Sequence, residues 1–194
     1  MQSGVMNAGE YLSVLVSIIV GLGLSHLLGS VGKLLSRRTR VRVYAPSVAV
    51  AVMVFLAQVQ FWWGSFDFGE RIENNFFAFL VFLLAPILLY LTAVLALPEL
   101  DQDDSGEVSL REHYYEARPW LYGLTALIPI VAAVRNAVFQ GEPFWNQDRP
   151  FEAIFLVIAL VGALTASERV HRVLPFVMIG MFVVMVVLTG LRPG

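Results

Sequence analysis

Six apolar stretches, each near the length that crosses a bilayer, constrain this chain more than any other feature. They run roughly 11–33, 44–65, 75–97, 119–139, 151–167 and 173–191, against about 20 residues for a spanning helix. The fifth is the shortest, and Glu152 lies inside its start. Of the 194 residues, 58% are hydrophobic and 14% are charged. Soluble domains average about 45–50% and about 25%. A water-soluble fold of this length cannot hide so much apolar surface, so lipid is the expected solvent. The expected fold class is all-α: an integral membrane six-helix bundle forming a single transmembrane domain over 1–194. The connections are short, so neighbouring helices should run antiparallel.

Net charge is −2 and cysteine is absent. The balance offers nothing to nucleic acid. The missing cysteines exclude disulfides, thiolate metal sites and cysteine nucleophiles. The segment 1–10 carries no Lys or Arg, which predicts a retained first helix rather than a cleaved signal.

Orientation follows from the basic residues. The first, third and fifth connections hold Lys33, Arg37, Arg38, Arg40, Arg42, Arg111, Arg118, Arg169 and Arg172. Only Arg71, Arg135, Arg149 and Arg192 lie elsewhere. The expectation is a cytoplasmic basic side, with both termini periplasmic or extracellular. Tyr11, Trp62, Trp63 and Trp145 then fall near one interface, and Tyr44 and Trp120 near the other, where amphipathic aromatics belong. The basic connection itself suits anionic lipid heads.

The first stretch carries a ladder of small residues at every fourth position: Ser13, Ser17, Gly21, Ser25 and Gly29. Small side chains let membrane helices approach closely. Each step advances about 400°, so the ladder drifts round the helix and cannot form one straight seam. His26 stands off it, on a face with Gly23 and Ser30. Pro86, Pro129 and Pro175 interrupt three stretches, as shape adjustments or as opened carbonyls beside a cavity.

Arg135 is the costliest residue to bury, at about 2.5–3.5 kcal/mol on insertion scales. Asn136 follows it, and Glu10, Gln58, Gln60 and Glu152 fall at the same depth. Together they predict an outward polar pocket for an anion or polar ligand. The competing reading is an ion pair that fastens helices. His26 suggests a haem or another metal, with His171 as a second imidazole. The competing role is a hydrogen bond to a neighbouring helix.

The run from Asp101 to Glu112 resembles an EF-hand calcium loop, with Asp101, Asp103, Ser105, Ser109 and Glu112 at oxygen-ligand positions and Gly106 at the turn. It departs from the pattern at Asp104, where glycine is usual, and Pro98 breaks the entering helix. The competing reading is an acidic turn ending in a capping box, with Ser109 at N-cap and Glu112 at N3, and with Tyr114, Tyr115 and Trp120 at the headgroups. Calcium and haem are therefore the two cofactor readings, and neither is required. Phosphate-cradling glycine loops, an H-E-x-x-H pair and a nucleophile elbow are absent from the sequence.

The runs YLSVLVSIIVGLGLSHLLGSVGKLLSRR, QVQFWW and LREHYYEARPWLYGL resemble an uncharacterised family of small bacterial polytopic inner-membrane proteins. The resemblance implies a bacterial inner membrane and carries over no functional residue. The resulting expectation is a non-enzymatic membrane protein, channel-like or transporter-like, with its pocket around Arg135. The alternatives are an accessory subunit of a larger membrane complex and an electron-transfer protein using His26. Expected partners are the bilayer and either a second copy or another membrane protein.

Overall fold

The computed structural model describes residues 8–65, 76–100, 106–139 and 149–190. Six helices account for nearly all of them: α1 (Ala8–Ser36), α2 (Ala45–Gly64), α3 (Phe76–Ala96), α4 (Leu110–Phe139), α5 (Arg149–Leu164) and α6 (Glu168–Gly190). The chain is all-helical, and five of the helices are long and apolar enough to cross a membrane. The exception is α5. Its 16 residues rise about 24 Å at 1.5 Å each, short of a hydrocarbon core of about 30 Å.

Packing follows a ring. Helix α2 packs on α3, α3 on α4, α4 on α5, α5 on α6, and α6 returns to α2. Helix α1 stands outside the ring against α2 and α3. Its inner stripe is Leu12, Val16, Val20, Gly23, Leu27 and Ser30, all buried, with the three- and four-residue spacing of one helix face. Leu12, Val16 and Val20 meet Phe82 and Leu83 of α3 in one apolar cluster. A larger cluster joins Val50, Val54, Ala93, Leu121, Tyr122, Ala159 and Met178 within the ring. Outward positions stay apolar as well: Ile18, Leu84, Val157 and Val187 are all exposed.

Two helices are longer than their apolar stretches. The fourth starts at Leu110 rather than near 119, and the sixth at Glu168 rather than near 173. Helix α4 runs through Pro119 and Pro129, α3 through Pro86 and α6 through Pro175. Each proline removes one donor and leaves the rest of the ladder intact, which membrane helices tolerate. Ser109 caps α4: its Oγ accepts the Glu112 N–H at 3.3 Å.

One end of the bundle carries the connections α1–α2, α3–α4 and α5–α6 and is called here the basic end. Two of these connections are joined. A 3-10 turn (Arg38–Arg40) leads into strand β1 (Val41–Arg42), which pairs in parallel with β2 (Val108–Ser109). The Arg42 guanidinium bonds the Glu107 carboxylate at 2.5 Å across the same seam.

Candidate functional site

The ring holds a half-open cavity of about 230 Å³. It reaches from Thr92 of α3 and Thr125 of α4 toward the end opposite the basic one, at Gln60 of α2 and Glu152 of α5. The remaining wall is apolar, with Phe155 and Met181 among its members. Thr92 and Thr125 satisfy their hydroxyls on their own helices, donating to the carbonyls of Leu88 and Leu121 at 2.7 and 2.8 Å. Pro129 also lines the cavity, and its missing N–H leaves the Thr125 carbonyl without a helical donor.

Glu152 meets Arg149, one helical turn earlier, at 2.5 Å. The arginine side chain is only 6% exposed, although it stands in the first turn of α5, where its position near the predicted span end suggests a solvated residue. Pairing is what allows it to be buried. The cavity therefore has an apolar body and a charge-balanced polar end.

Five of the six residues expected to share one pocket are distributed over three places. Gln60 and Glu152 line the cavity. Gln58 is fully buried against α1, where a Cβ on Gly23 would meet its Oε1 at 2.4 Å. The reason is geometric. Two residues apart on a helix means about 200°, so Gln58 and Gln60 face opposite ways. Arg135 lies 5.7 Å from the Phe82 ring centroid on α3 and donates from Nε to Asn136 Oδ1 at 3.0 Å. A ring face offers a guanidinium an attractive, weakly hydrated contact. Glu10 falls in the first turn of α1, and its side chain lies outside the described residues.

The metal candidates are also separate. Asp101, Asp103 and Ser105 lie outside the described residues. Glu112 stands in the first turn of α4. His26 shares its face with buried Gly23 and Ser30, and its Nε2 is buried without a hydrogen-bond partner among the described residues. His171 is engaged at both nitrogens, by the Tyr114 hydroxyl and the Thr165 carbonyl. Among the described residues, no three His, Asp or Glu side chains gather as a metal site.

A second polar cluster, not anticipated from the sequence, lies inside the basic end. His171, fully buried, has Tyr114 at Nδ1 and the Thr165 carbonyl at Nε2, at 2.8 and 2.7 Å. The carbonyl only accepts, so Nε2 carries the hydrogen and Nδ1 accepts. Tyr114 therefore donates to His171. Its oxygen then receives the Tyr122 hydroxyl at 2.8 Å. Arg118 donates to the carbonyls of Gly162 and Thr165, closing the C-terminus of α5, where a cation also suits the helix dipole. Together these bonds tie α4 to the short α5–α6 connection. Tyr114 is thus a core residue rather than a headgroup residue, while Trp120 is exposed. His113, in the first turn of α4, bonds the Leu95 carbonyl at 3.1 Å.

Tyr44 completes the cluster at its rim. Its ring meets Tyr114 edge-on at 5.5 Å, and its hydroxyl lies 3.3 Å from that of Tyr115. Burial, reinforced by the Tyr115 hydroxyl, pushes the Tyr44 phenol above its ordinary range.

Comparison of the chain with protein-family models, with curated proteins and with solved structures finds no match.

Proposed function

We propose that this chain is a non-enzymatic, multi-pass integral membrane protein, a six-helix bundle that holds a small amphiphilic molecule inside its five-helix ring, in the manner of a small transporter. The cavity between α2 and α6 carries this reading. Its volume of about 230 Å³ exceeds the 150 Å³ at which a dry apolar cavity already takes up benzene. It suits a molecule with an aromatic or short aliphatic body and a polar head reaching Gln60 and the Glu152 carboxylate. The ligand is thereby assigned to Glu152 rather than to Arg135, whose guanidinium is directed to Phe82.

Indole, an apolar ring with one N–H donor, is a direct probe. Calorimetry on the protein in nanodiscs should give saturable indole binding. Ala132→Phe, which fills the cavity from α4, should abolish it. Glu152→Gln should weaken it by about tenfold, as the loss of a charged acceptor does. Indole uptake that is unsaturable and equal in all three proteins would reject the reading.

A second reading, a subunit of a larger membrane assembly, is favoured by the outer side of α1. A Cβ added at Gly21, Gly29 or Gly32 would meet nothing within 4 Å, and Ser25 beside them is exposed. Among the described residues, most of the small-residue ladder is therefore unused, although Ser17 receives the Trp62 indole N–H at 3.0 Å. Small faces of this kind let a neighbouring helix approach closely in lipid. Gentle extraction followed by native mass spectrometry should then recover a complex that Gly21→Leu breaks. A monomer in both proteins would count against it.

A further inference from the structure

A separate apolar groove runs between the second half of α1 and the first half of α2. Its volume is about 500 Å³. Leu28, Val31 and Leu35 form one wall and Val48 and Val52 the other, and all five are exposed. The α1 wall runs from Leu28 to Leu35, seven residue steps or about 10 Å of helix rise. That is roughly two thirds of the apolar depth of one leaflet, taken as half of about 30 Å. The groove thus has the length and chemistry of an acyl-chain slot.

What stands at its mouth distinguishes it from ordinary lipid-facing surface. Arg38 lines the groove at the basic end and has no carboxylate partner among the described residues. Its backbone is held. The 3-10 turn closes with the Arg40 N–H on the Arg37 carbonyl at 2.8 Å. The strand that follows pairs with β2, and Arg42 is tied to Glu107. A cation on a held backbone at the head of an apolar slot is complementary to one molecule with both properties.

We infer that this groove binds an anionic phospholipid, its acyl chain between α1 and α2 and its phosphate on Arg38. Free phosphate would satisfy the guanidinium but leave the slot empty. A neutral lipid would fill the slot but leave the cation unanswered. The inference rests on the bilayer reading and is independent of the ligand in the ring cavity.

The test places the protein in nanodiscs of phosphatidylcholine doped with phosphatidylglycerol and counts retained lipid by native mass spectrometry. Protein incorporation into the discs is read first, so a failure of membrane insertion is seen apart from a failure of lipid choice. The wild type should retain phosphatidylglycerol over phosphatidylcholine by about fivefold, the selectivity one arginine supplies near a membrane surface. Arg38→Gln should bring the ratio to unity. Lys33→Gln, which changes the same net charge away from the groove, should leave it near the wild-type value. Val48→Trp, which fills the slot, should lower retention of both lipids. Glycerol phosphate should not compete. An unchanged ratio in Arg38→Gln overturns the site. So does an equal loss in Lys33→Gln, which would mean diffuse charge, or full competition by glycerol phosphate, which would mean a headgroup site without a chain.

Discussion

The Tyr114 hydroxyl donates to Nδ1 of His171 at 2.8 Å, and this bond has a direction because the opposite nitrogen is committed to a carbonyl. Tyr122 donates to Tyr114, Tyr114 to His171, and His171 to Thr165. Every hydroxyl and ring hydrogen in the row is used once. Such a network stabilises only while it is complete. Tyr114→Phe removes the central oxygen and leaves both the Tyr122 hydroxyl and His171 Nδ1 buried and unsatisfied. The expected loss is about 1–3 kcal/mol, seen as a lower unfolding midpoint in detergent. An unchanged midpoint would mean that the row does not hold α4 to α6.

Gly162 tests the packing beneath that network. A Cβ there would meet the Tyr122 ring at 2.6 Å, and Tyr122 is fully buried. Gly162→Ala should therefore cost about 1–3 kcal/mol from overpacking. In a Tyr122→Leu background Gly162→Ala should cost less than it does in the wild type, because the clashing ring is gone. Gly180, where an added Cβ meets nothing within 4 Å among the described residues, is the control: Gly180→Ala should be neutral or stabilising by up to about 1 kcal/mol. Thermal unfolding of the wild type, the three single variants and the double variant checks the set. Equal effects at the two glycines would contradict the packing described.

Tyr44 gives a pH dependence. Its phenol ionises above the ordinary value of about 10, because burial disfavours the charged form. A raised folded value means that the folded state holds the proton more tightly. The associated stability is fully present below about pH 10 and is lost as pH rises through the folded value. Tyrosinate absorbance should therefore develop between about pH 10 and 11 to the same extent in the wild type and in Tyr44→Phe. A smaller rise in the variant would place Tyr44 among the ordinary tyrosines and contradict its burial against Tyr114 and Tyr115.

The Arg149–Glu152 pair makes a further prediction at the cavity end. Arg149→Met leaves the half-buried carboxylate without its nearest cation, a change that costs about 3–5 kcal/mol for fully buried pairs and less here. Replacing both residues, Arg149→Met with Glu152→Leu, should recover much of the loss, since an apolar pair of similar volume avoids the desolvation cost. Denaturation midpoints of the single and double variants measure this. A double variant no more stable than Arg149→Met would show that the pair is not the relevant partnership.

The helices were legible because apolar length is a local property of the chain. The separation of Gln58 from Gln60 runs against the shared pocket expected for them, although the roughly 200° of helix rotation between them already implies it. The placement of His26 with Gly23 and Ser30 follows from the same geometry. Burial of Arg118, Arg149 and His171 was not legible in this way. Arg118 finds its partners 44 and 47 residues away, and Tyr114 meets His171 across 57. No local pattern records such pairings, so Arg118 reads as an ordinary residue of a basic connection and His171 as a candidate ligand, while Arg149 reads as a solvated residue at a span end. The exclusion of α1 from the ring is likewise a packing outcome. Its small-residue ladder suggests helix contacts, yet the contacts it makes run along the neighbouring stripe of Leu12, Val16 and Val20.

The central claim is that the ring of α2 to α6 holds a small molecule beside Glu152. Fluorine NMR of 5-fluoroindole with the protein in nanodiscs tests it most directly. The wild type should give a bound resonance distinct from the lipid-partitioned one, and Ala132→Phe should lose that resonance while keeping the partitioned one. A single partitioned resonance, identical in the two proteins, would contradict the claim.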